Sequence, residues 1–80
     1  MKLISEIPHP QMRITVFLWN EKYLIKFEAG PYEQSYKLDA TFIENPADIE
    51  KAISDEFIEK VIQRFKDMNA DFVEHVYKNI

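Results

Sequence analysis

Residue type alternates along Met12–Leu38, and no other pattern in these 80 residues constrains the fold as tightly. Successive side chains of a strand point to opposite sides of a sheet, so such alternation specifies two faces at once. Gln11–Trp19 and Tyr23–Ala29 read as antiparallel strands joined at Glu21–Lys22. That register sets Asn20 opposite Tyr23, Leu18 opposite Ile25 and Val16 opposite Phe27, on a face suited to a core. The other face then carries Arg13, Thr15, Phe17, Trp19, Leu24, Lys26 and Glu28, with Lys26 opposite Phe17 and Leu24 opposite Trp19. A slip of one residue would exchange the faces.

On the N-terminal side, Leu3, Ile4 and Ile7 supply either a short further strand or a packed arm, and Pro8-His9-Pro10 interrupts regular structure. On the other side, Ala29-Gly30-Pro31-Tyr32 reads as a turn. A third strand near Glu33–Asp39 follows, with Gln34, Tyr36 and Leu38 on the core face and Ser35 and Lys37 on the other.

Residue chemistry changes at Asn45-Pro46. Asn is a good N-cap, Pro fits the first helical position because its missing N–H is no loss there, and Asp48 opposes the helix dipole. A short helix carrying Ile49, Ala52 and Ile53 should follow. Ser54, Asp55 and Glu56 repeat the start signal, after which Phe57, Val61, Phe65, Met68, Phe72 and Val76 recur at helical spacing. Unbroken from Asp55 to Lys78, that helix would run about 36 Å, longer than strands of about eight residues can cover. It must therefore overhang, bend or dock elsewhere. Asn69 lies within the apolar stripe, where an unpaired amide is costly, and offers a place to divide the helix into 55–68 and 70–78.

These elements predict an α+β fold in two layers, as a single domain over residues 1–80. An antiparallel sheet of three or four strands spans about 11–39, and two or three C-terminal helices, over about 46–53 and 55–78 with a break near 69, pack on one face. A hydrophobic content of 46%, with one Gly and four Pro, excludes disorder and leaves no flexible linker. The absence of cysteine removes disulfides, thiol nucleophiles and thiolate-bound zinc, and suits a reducing compartment. Ser5 and Glu6 interrupt the first apolar run before it reaches signal-peptide or membrane-span length, so a soluble, cytoplasmic protein is expected.

Net charge is −4, and the acidic excess lies in the second half: residues 1–40 hold five acidic and five basic side chains, residues 41–80 nine and five. The run Asp48, Glu50, Asp55, Glu56 and Glu59 lacks the ligand spacing and central Gly of a calcium loop and reads as helix-start electrostatics. Asp71 and His75, four apart on the helix, form half of a metal site at most, since His9 is the only other histidine. No metal or other cofactor is expected. A Gly-rich phosphate loop, a serine elbow and a locally paired set of carboxylates are all missing, so the chain is read as non-catalytic, and a small enzyme or ligand carrier, built on carboxylates from distant segments, is the least favoured reading.

The outer sheet face is the candidate site. Phe17, Trp19 and Leu24 lie among the cations Arg13, Lys26 and Lys37, with Lys26 in reach of a cation–π contact with Phe17. An aromatic centre with a polar rim is the composition of a protein-interaction hot spot, so a protein partner or self-association is favoured. Single-stranded nucleic acid or another polyanion is the alternative, since bases stack on rings while cations hold phosphates. Glu28, Glu33 and the overall acidity weigh against it. A third reading makes Phe17 and Trp19 ordinary core, covered by Leu3–Ile7 or by the last helical turns.

Overall fold

In the computed structural model, which describes residues 1–80, four consecutive strands form one antiparallel sheet in chain order. They are β1 (Lys2–Ile7), β2 (Arg13–Trp19), β3 (Lys22–Ala29) and β4 (Tyr32–Asp39). Leu3–Ile7 is thus a fourth strand rather than an arm, and it pairs beside β2 instead of folding over it. An extra residue, Ile4, bulges out between the paired Leu3 and Ser5. The bulge turns Ile4 toward the core while Leu3 returns to the outer face opposite Phe17.

The β2–β3 hairpin departs from the expected register by two residues. Trp19 pairs with Lys22, so the loop is Asn20–Glu21 rather than Glu21–Lys22. Both loop residues have positive φ, 54° and 62°, as a two-residue hairpin loop of type I′ demands. Asn20 therefore leaves the core face for the turn. Leu18 faces Tyr23, Val16 faces Ile25 and Ile14 faces Phe27, while on the outer face Leu24 lies opposite Phe17 and Lys26 opposite Thr15. A shift of two preserves strand parity, so all the remaining strand residues keep their faces. At the second hairpin Gly30, with φ 58°, opens the two-residue loop Gly30–Pro31 that joins β3 to β4.

After a 3-10 turn at Ala40–Phe42 come a six-residue helix, α1 (Ala47–Ala52), and one long helix, α2 (Asp55–His75). The Asn45 side chain accepts from the Ala47 N–H at 3.0 Å, and the Ser54 hydroxyl caps α2 by accepting from the Phe57 N–H at 3.1 Å. The chain has one long C-terminal helix, not two or three, and α2 runs through Asn69 without a break. Asn69 is exposed, so its amide carries no burial cost that would break the helix, and its Oδ1 accepts from the Tyr32 hydroxyl of the sheet at 2.8 Å. A 3-10 turn at Tyr77–Asn79 follows.

The inner sheet face and the helices enclose a core in two lobes. One, near the Gly30 end, gathers Met12, Ile14, Phe27, Val61 and Phe65; the other, near the Asn20 end, gathers Val16, Tyr23 and Ile49, and Ile25 and Ile53 touch both. A run of hydrogen bonds fastens α2 to β4: Arg64 donates to the Tyr36 hydroxyl, which donates to Gln34 Oε1, while Gln34 Nε2 donates to the Val61 carbonyl at 2.9 Å. Beyond Asn69 the helix overruns the sheet, still touching it where Phe72 meets the Tyr32 ring edge-on, and Phe72, Val73, Val76 and Tyr77 are exposed. The overhang gives the molecule a long axis of 46 Å against 26 and 18 Å.

Candidate functional site

Nothing in the chain lies over the outer sheet face. Both helices pack on the opposite side and β1 extends the sheet sideways. Cross-strand pairing arranges this face in rows. Leu3, Phe17, Leu24 and Lys37 form one, Glu6, Thr15, Lys26 and Ser35 a second, Arg13, Glu28 and Glu33 a third, and Trp19, Lys22 and Asp39 a fourth. Arg13, Phe17, Trp19, Leu24, Lys26 and Lys37 therefore share one surface. Trp19 is 53% exposed, whereas Phe17 and Leu24 are half-buried between their neighbours.

The cations are not equivalent. Arg13 Nε lies 3.1 Å from Glu6, and Lys26 Nζ lies 3.1 Å from Glu33 and 5.8 Å from the Phe17 ring centroid. The cation–π contact thus forms on the diagonal rather than directly across the strands. The Lys26 ammonium, with the Ser35 hydroxyl, holds the Glu33 carboxyl below the usual glutamate range. Asp39 is likewise held low by the backbone N–H and hydroxyl of Thr41. Thr15 is wholly buried among these side chains, and its hydroxyl finds no hydrogen-bond partner in the chain.

Trp19, Leu24 and Lys37 converge on a cavity of about 330 Å³, completed by Met1, Asn20 and Lys22. Arg13, Phe17 and Lys26 do not line it. The alternation gives Lys22 to the loop and so does not place it on this face. An asparagine in the first left-handed position of a two-residue loop is the signal that would have placed it beside Trp19. Leu3 reached the same face through the bulge at Ile4, for which two adjacent apolar residues give no usable sign.

Comparison with protein-family models, with curated proteins and with solved structures yields no match. The chemistry of the surface is then the only guide to its use. No group of three or more His, Cys, Asp or Glu side chains stands where it could hold a metal ion, and Asp71 and His75 lie on the exposed, overhanging part of α2. No helix is long and apolar enough to cross a membrane.

Proposed function

We propose that this chain is a non-catalytic protein-interaction module whose contact surface is the outer sheet face, the bound chain being another protein or a second copy. One observation carries the reading: a tryptophan 53% exposed on a sheet face that no other part of the chain covers, beside Leu24 and a row of Leu3 and Phe17. Aromatic side chains with an apolar surround and a charged rim supply most of the binding energy of protein interfaces. The polyanion alternative draws less support, because Arg13 and Lys26 already face Glu6 and Glu33, and only Lys22 and Lys37 flank Trp19 without an ion pair.

The emission of Trp19, the only tryptophan, tests this over a dilution series. A water-like emission that strengthens on dilution supports self-association through this face. A water-like emission at every concentration leaves the face free for another protein. A blue, concentration-independent emission would overturn the proposal, since the chain would then bury the ring itself. Trp19→Ala should shift the melting temperature by no more than a few degrees while removing the association. Binding of a labelled oligonucleotide that weakens steeply with salt would favour the polyanion alternative.

A further inference from the structure

The two edges of the sheet are built differently. β1 is interrupted by the bulge at Ile4 and followed by Pro8, devices that blunt an edge against further pairing. β4 has eight residues with no bulge, Pro or Gly, and its outer edge meets no other strand. Tyr32 pairs with Ala29 across a two-residue loop, which makes that pair hydrogen-bonded, and hydrogen-bonded pairs alternate along an antiparallel ladder. Tyr32, Gln34, Tyr36 and Leu38 thus spend their backbone groups on β3, a pattern that continues where the Ala40 N–H donates to the Glu21 carbonyl. The N–H and C=O groups of Glu33, Ser35 and Lys37 point away from the sheet.

From this edge we infer a homodimer in which β4 pairs antiparallel with β4 of a second copy about a two-fold axis at Ser35. It is a second interface, independent of the outer-face reading. Only registers that oppose outward-pointing residues can form the ladder, and charge separates them. Centred on Tyr36, the pairing sets Glu33 against Asp39 twice; centred on Lys37, it sets that lysine against itself. Centred on Ser35, it sets Glu33 against Lys37 twice, and on the inner face it opposes Tyr36 to Gln34 and Leu38 to Tyr32. Centred on Gln34, it opposes Glu33 only to Ser35 over a shorter overlap, so the Ser35 register is the one that is both long and complementary in charge. The product is a continuous eight-stranded sheet with an α2 helix from each copy on the same side. It also brings the exposed Phe42 of one copy to the same end of the sheet as the overhanging Phe72 and Val76 of the other.

Sedimentation of the full chain, with circular dichroism as the check on folding, tests the inference. The wild type should sediment as a dimer that dissociates on dilution. Ser35→Pro should be a folded monomer, because it removes an N–H that the single chain does not use. Lys37→Glu and Glu33→Lys should each weaken self-association about tenfold by placing like charges opposite twice. Mixed in equal amounts, these two variants should form a heterodimer in which both unlike pairs are restored. That mixture decides the matter even if the proline variant fails to fold. A wild type monomeric up to millimolar concentration, or a dimer indifferent to all three substitutions, would overturn the inference. Trp19 lies two strands away from this edge, so its emission reports on the outer face and not on the dimer.

Discussion

The Thr15 hydroxyl is enclosed on a sheet face that is otherwise open, between Glu6 on one neighbouring strand and Lys26 on the other, and it has no partner in the chain. A buried hydroxyl left unpaired costs on the order of 1–3 kcal/mol, and Thr and Val have nearly the same shape. Thr15→Val should therefore raise unfolding stability by about 1 kcal/mol, read from the urea midpoint at unchanged slope. Its neighbours have a different use. Lys26 is held by both Glu33 and Phe17, and Arg13 by Glu6, so these side chains order the face while Lys22 and Lys37 stand beside Trp19 without an ion pair. Alternation alone places Arg13, Thr15, Phe17, Trp19, Lys26 and Lys37 on one face. The pairing of each cation was not legible in it, because Glu6 and Glu33 come from strands beyond the β2–β3 hairpin on which the reading rested.

At the scale of the element, parity and register carry different information. Alternation fixes the face of each strand residue and survives an even shift, which is why the faces hold although the hairpin closes one residue earlier than expected and the pairing moves by two. Loop chemistry decides the register, and here it is written weakly. The loop is Asn20–Glu21, and glutamate is a poor occupant of a left-handed position. Glu21→Gly should relieve that strain and stabilise the fold by about 0.5–1 kcal/mol, measured by urea unfolding, with sheet signals in the far ultraviolet unchanged. The continuity of α2 at Asn69 was illegible for another reason. Periodicity puts Asn69 in the apolar stripe, but the stripe outruns the sheet there and leaves the amide exposed, and a periodicity contains nothing about the length of the sheet it meets.

For the molecule as a whole, the stripe on α2 is longer than the sheet beneath it. Val61 and Phe65 are buried, and every residue from Asn69 onward is exposed. Local opening should follow that division. In native-state hydrogen exchange, amides beyond Asn69 should be protected on the order of a hundredfold less than those of Val16 and Phe27. Equal protection would show the overhang to be held by something the single chain lacks, as a dimer would provide. The meander also has a temporal side. Each strand pairs with its neighbour in the chain, so the whole sheet is specified by Asp39, whereas Phe65, which covers its Gly30 end, comes roughly 26 residues later. At about 5–20 residues per second, a ribosome would take one to several seconds to supply that cover. Strands made before their cover leave the inner face of the sheet bare, so residues 1–39 by themselves should aggregate where the full chain does not.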